Sequence, residues 1–331
     1  MLQRYSLENG RVVRADSGGT IRVYADPTDD ERADILASCG IDDHTLASAL
    51  DPEEVPRLEI EDDHTLIIWK VPSPLSLPTA GRFDVASLGI VLHGDRVTII
   101  AGHEPPLLDR ERARPIRSHR ELVLHELLDT VHHYFEHLRV IRQVAREVES
   151  VLATSIGNEH LLRMFSLSES LVYYDTAIET NGGALDWLRR DAERVGFTAD
   201  ELELLADVII ENTQCARQAE IYSRVLSGLM DARGNIINNN MNILLKNLTV
   251  INVVFLPLGV LAGLGGMSEF SMMTRGIAWW ISYPLFLVGL AAIGVVTWQV
   301  LRRWLDRSMG RASPSPRRGA AVAGPRSDPG R

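Results

Sequence analysis

Lysine is almost missing from this 331-residue chain: Lys70 and Lys246 are its two examples, among 34 basic residues in all. That bias belongs to composition, and nothing functional follows from it. Cysteine is as scarce. Cys39 and Cys215 are too few for a disulfide framework, which places most of the mass in a reducing compartment, and too few for a zinc ribbon's clustered thiolates. The first sixteen residues have no apolar core, so no secretory leader is expected there. No Gly-rich phosphate loop, G-x-S-x-G elbow or H-E-x-x-H pair occurs, which disfavours nucleotide-driven pumping and the common hydrolases. A non-enzymatic role is expected. Positive charge is also scarce outside the C-terminus. Residues 302–331 carry eight Arg against Asp306 and Asp328, a local +6 in a chain of net charge -10, which leaves about -16 elsewhere. An acidic body excludes nucleic acid as the main partner and favours a cation.

The pattern predicts six segments. Residues 1–117 read as an N-terminal α+β domain. "RLEIEDDHTLIIWKV" and "ASLGIVLHGDRVTIIAG" each predict a hairpin, around Asp62–Asp63 and Gly94–Asp95, and together an antiparallel sheet with helices against it. "DDERADILASCG" predicts a short helix with an Asp cap and a glycine stop. Residues 118–245 read as long helices: one of about thirty-five residues from Ser118, a second over Glu159–Val195 interrupted near Gly182–Gly183, and a third from the "TADE" cap at Thr198. The third is too long for a compact domain and suggests a stalk.

Two uncharged runs follow. Leu248–Leu264 is 17 residues, about 25 Å as a helix, with Lys246 at its upstream end. Ile277–Val300 is 24 residues, with Trp279, Trp280 and Tyr283 at one end and Trp298 and Trp304 near the other. Length and aromatic belts predict spans over 246–264 and 277–301, joined by an outer loop at 265–276. Arg302, Arg303, Arg307 and Arg311 follow the second span, whereas the loop holds only Arg275. The positive-inside rule puts both termini in the cytoplasm and the protein in the inner (plasma) membrane. Residues 302–331 are expected to form a disordered basic tail touching anionic lipid.

Heptad steps from Asp231 land on Asn238, Asn242, Leu245, Thr249, Asn252, Leu256, Gly259, Gly263 and Gly266. An amide at Asn252 inside an apolar span is costly unless it faces protein or water. Two readings of this stripe stay open. In one, the polar residues are interhelical hydrogen-bond glue and the glycines permit close packing. In the other, copies of the helix surround an axis, oxygen-bearing rings handle a hydrated hard cation such as Mg²⁺, and Leu245 and Leu256 form dewetting constrictions. A weaker signal lies in "HELLDTVHHYFEHL", where His125, Asp129 and His132 share a helical face at zinc-ligand spacing; solvated histidines are the plainer alternative.

At "SGLMD", "NNNMNILLKNLTVINVVFLPLGVLAGLGGMSEF" and "ISYPLFLVGLAAIGVV" the chain resembles the CorA-type divalent-cation transporters, and the likeness extends over the whole architecture. The resemblance implies a funnel-shaped homopentamer in the lipid bilayer, without a bound organic cofactor. Asp231, Asn242, Leu245, Leu248, Asn252 and Leu256 would then lie on the conduction path. It also points to Asp207 as a regulatory cation site between subunits. The family signature Gly-Met-Asn reads here Gly266-Met267-Ser268, followed by Glu269. Serine offers a hydroxyl with shorter reach than an amide, so Zn²⁺, Co²⁺ and Ni²⁺ stand beside Mg²⁺ as transported ions.

Overall fold

Successive residues of one strand, Leu66 and Ile68 against Ile67 and Trp69, are buried in two different hydrophobic clusters, so the sheet that holds them is covered on both faces. The computed structural model describes residues 1–73, 83–103, 115–152, 159–267, 272–273 and 275–310. Its strands are β1 (Leu2–Glu8), β2 (Arg11–Arg14), β3 (Ile21–Ala25), β4 (Arg57–Ile60), β5 (Thr65–Pro72), β6 (Val85–His93) and β7 (Arg96–Ala101). They form one sheet in the order β2-β1-β3-β7-β6-β5-β4, antiparallel except for the β3–β7 pair. Helices α1 (Asp29–Cys39) and α2 (Asp43–Leu50) cover one face, where Ile35, Leu46 and Ala49 meet Tyr24, Leu66, Ile68 and Ile100. Gly89 lets α2 approach closely: a Cβ there would stand 2.6 Å from that of Ala49.

The other face packs against α3 (His119–Leu152) and α4 (Glu159–Arg190), burying Trp69, Tyr134 and Tyr174. The short α5 (Ala192–Val195) leads into α6 (Ala199–Gly265), a 67-residue helix; α7 is Trp279–Gly310. The start of α6 carries the reciprocal Thr198–Glu201 cap, and the other Glu201 oxygen accepts from Ser118 Oγ at 2.5 Å, which ties the beginnings of α3 and α6 together. The chain divides into two units, Met1–Gly234 and Asn235–Arg331.

The polar N-terminus, within the expected α+β domain, forms the β1–β2 hairpin. Its edge position leaves one side in water, so no apolar run marks it. Three expectations are corrected. The cap of α1 is Thr28, in a reciprocal pair with Glu31, and not an aspartate. Helix α4 runs unbroken through Gly182–Gly183 and ends only at Asp191. Gly182 serves packing instead: its bare Cα admits Asn212, whose Nδ2 donates to the Ile178 carbonyl at 3.0 Å. Finally, α7 continues to Gly310, so the tail expected from 302 begins as helix; residues 311–331 lie outside the described residues.

Strand β4 stops opposite Ile68, so the backbone of Lys70 would lack partners on that side. Asn181 of α4 supplies them: its Oδ1 accepts from Lys70 N and its Nδ2 donates to Lys70 O, both at 2.9 Å and both buried. Asn181→Ala strands a buried donor and a buried acceptor. It is expected to cost about 3 kcal/mol, read as a lowered unfolding midpoint of the full-length protein in detergent. A midpoint equal to wild type would show that water replaces the amide.

Candidate functional site

Of the two described helices long and apolar enough to cross a membrane, α6 and α7, α6 carries the polar stripe. From Leu248 onward, Val250, Val254, Pro257, Leu258, Leu261 and Gly265 are the less exposed residues of α6. The contacts of that face are with α7. Gly265 lies against the Phe286 ring, which a side chain at 265 would strike, and a Cβ at Gly294 would stand 3.2 Å from Leu258 Cδ1. Pro257 sits on the same face; its ring removes the N–H that would bond the Val253 carbonyl.

At about 100° per residue, these positions centre roughly 165° around the helix from Asn238, Asn242, Leu245, Thr249, Asn252, Leu256, Gly259 and Gly263. All eight of those residues are exposed. Leu256 is 70% exposed and Leu245 54%, and Leu248, at the edge of the stripe, is 55%. Thr249 Oγ1 donates to the Leu245 carbonyl at 2.8 Å, so the hydroxyl keeps its lone pairs for an outside partner. The Asn252 side chain holds no hydrogen bond among the described residues. The helix closes with Gly266 N donating to Ala262 O at 3.2 Å and Gly263 O at 3.1 Å. Met267 follows, half-exposed, while Ser268 and Glu269 lie outside the described residues. Asp231, in the first unit, is exposed on the same helix.

The histidine cluster does not assemble. His125 Nε2 stands 3.9 Å from Glu121 Oε1, His132 turns into a groove with Glu136 and Glu211, and no three metal-ligating side chains gather among the described residues. The reason is helical geometry: 125, 129 and 132 share one face of α3 but are spread along about 10 Å of it, so they do not converge on one point. What the structure does bring together is His125 and Asp207, across α3 and α6. They line an open cleft of about 990 Å³ with Glu121, Asp200 and Glu203. The sequence held one hint of this pairing, the matched caps at Ser118 and Thr198 that align the starts of the two helices.

An α+β domain, long helices and two helices long and apolar enough to cross a membrane, one with a polar face turned away from the other, give the architecture of a membrane protein. Residues 22–303 match the CorA-like Mg²⁺ transporter protein family, and the chain belongs to that family. It is 25% identical over 270 residues to the cobalt/magnesium transport protein CorA of Methanocaldococcus jannaschii, covering 80% of this chain and 84% of that one. It is also 25% identical over 276 residues to the protein of the same name from Thermotoga maritima, covering 80% and 77%. The fold matches the complete structure of the M. jannaschii CorA magnesium transporter with a TM-score of 0.69 at 21% identity, over 93% of this chain and 97% of that one.

Proposed function

We propose that this chain forms a homopentamer in the inner membrane, both termini cytoplasmic, and conducts hydrated Mg²⁺ down its electrochemical gradient through an axial pore. The observation that carries the reading is the free polar face of α6. Asn238, Asn242, Thr249 and Asn252 are exposed opposite the α7 contact, and an amide facing lipid within a span is unfavourable. Copies of α6 turned inward would cover that face and surround water with amide and hydroxyl oxygens, which suit a hard, hydrated cation. Asp231 would add a ring of charge, Gly259 and Gly263 would admit close approach, and Gly266, Met267, Ser268 and Glu269 would form the outer mouth. Asp207, in its acidic cleft, is the candidate for a regulatory cation.

The second reading keeps the fold and changes the ion to Co²⁺, Ni²⁺ or Zn²⁺. It is favoured by Ser268 in the mouth and by relatives whose names pair cobalt with magnesium. Uptake into liposomes holding a magnesium dye, with each competitor added in turn, separates the two. Mg²⁺ uptake that persists against equimolar Zn²⁺, Co²⁺ and Ni²⁺ supports the first, and uptake displaced by one of them supports the second. No flux of any ion, with the oligomer intact, would leave a membrane-anchored scaffold.

A further inference from the structure

We propose that in the assembled protein the arginine stripe Arg139, Arg142 and Arg146 on α3 of one copy docks against the carboxylates Asp175, Glu179 and Glu220 of the next copy, a head-to-tail contact repeated around the ring. The inference rests on the assembly described above and adds the surface that closes it.

The three arginines follow one another at spacings of three and four, so they share one face of α3 over about 10 Å. All three are exposed, and none holds a salt bridge among the described residues, in a chain of net charge -10. Arg142 lies over the Tyr222 ring at 6.0 Å, Gln143 and Glu147 bond each other beside the stripe, and Glu136 and Glu211 line the groove at its Arg139 end. The carboxylates sit on the other flank of α6. Asp175 and Glu179 are one turn apart on α4 and, among the described residues, have no cation within salt-bridge reach; Glu220 of α6 holds Arg224 of its own helix. Burial, and then repulsion from Glu179 and Glu220, raise the Asp175 carboxyl above its ordinary value, which marks a cluster short of positive charge.

Height decides that the two clusters suit each other. Tyr222, under the arginines, lies two residues from Glu220, about 3 Å along α6. Both clusters therefore stand at one level on opposite flanks of the same helix. A cyclic ring about an axis along α6 rotates copies without lifting them, so each flank meets the opposite flank of a neighbour at that level, as a heterologous interface requires. Within one chain the three arginines hold no salt bridge among the described residues, and of the carboxylates only Glu220 has a cation in reach, Arg224.

The test co-expresses two full-length variants, Arg142→Cys and Glu179→Cys, purifies the mixed assembly in detergent and applies a short bis-maleimide. The native Cys39 and Cys215 are buried. The expected result is covalent dimers from the mixture, none from either variant alone, and a yield that falls as salt shortens the screening length. Native mass of the unlinked sample is measured in parallel. An intact oligomer without dimers overturns this contact and leaves the pore reading standing, and so do dimers from one variant alone, which would mean a self-complementary contact. A monomer removes both readings. Protection of the thiol at 142 by inorganic phosphate, without cross-linking, assigns the stripe to an anion and overturns the docking.

Discussion

Leu256→Ser raises the resting leak of divalent cations through the reconstituted protein on the order of tenfold, and Leu245→Ser does the same. Both leucines point away from the α7 contact and are more than half exposed in the single chain. In a ring of copies they would close an apolar annulus that sheds water. A hydrated ion crosses such an annulus only by wetting it or by losing its shell. Each leucine side chain exchanged for a small hydroxyl removes more than 1.4 kcal/mol of apolar transfer free energy, which is already a factor of ten. The measurement is dye-reported uptake at equal protein, with native mass confirming the oligomer. Leak unchanged in both variants, oligomer intact, would show that this face of α6 does not line the path. Leu258→Ser is the matched control. It sits on the α7 side, against Gly294, so it should lower stability without opening a leak.

The two faces of α6 were only half legible in the sequence. Heptad spacing separates Asn238, Asn242, Thr249 and Asn252 from the residues between them, because side-chain direction follows residue number in a helix. Spacing does not say which face meets α7. That depends on Gly265 and Gly294, whose missing side chains admit Phe286 and Leu258, and such a match lies between elements far apart in the chain. The sheet divides the same way. β5, β6 and β7 announce themselves as apolar runs around Asp62–Asp63 and Gly94–Asp95, since buried strands must be apolar on both faces. β1 and β2 stay hidden because an edge hairpin needs little burial, and the parallel β3–β7 pairing joins strands some seventy residues apart. Asn181 was invisible for a related reason. Its role comes from β4 ending one step too early for Lys70, which no pattern in α4 encodes. The histidines are a different case: their spacing suits a metal, but spacing along one helix does not by itself bring three ligands to one point, and no such group gathers among the described residues.

Asn252→Leu should abolish most cation flux while leaving the oligomer at least as stable as wild type. The two readings of the stripe diverge sharply at this residue. If Asn252 is interhelical glue, its amide bonds a neighbouring helix. Leucine then removes that bond, worth roughly 1 kcal/mol in a membrane, and the oligomer loosens while the residual assembly conducts normally. If Asn252 faces water on the axis, its oxygen substitutes for part of the ion's second hydration shell. Leucine at the same position then adds a second apolar ring one turn from Leu256, which deepens the dewetted stretch, and apolar packing between copies costs the assembly nothing. Loss of flux on the order of tenfold or more follows from the same transfer argument as for Leu256, with the sign reversed. Asn252→Gln, which keeps the amide on a longer arm, should retain measurable uptake. Flux and native mass on the same preparation read the two quantities separately. Normal flux from a weakened oligomer would assign Asn252 to packing and move the conduction path off this face.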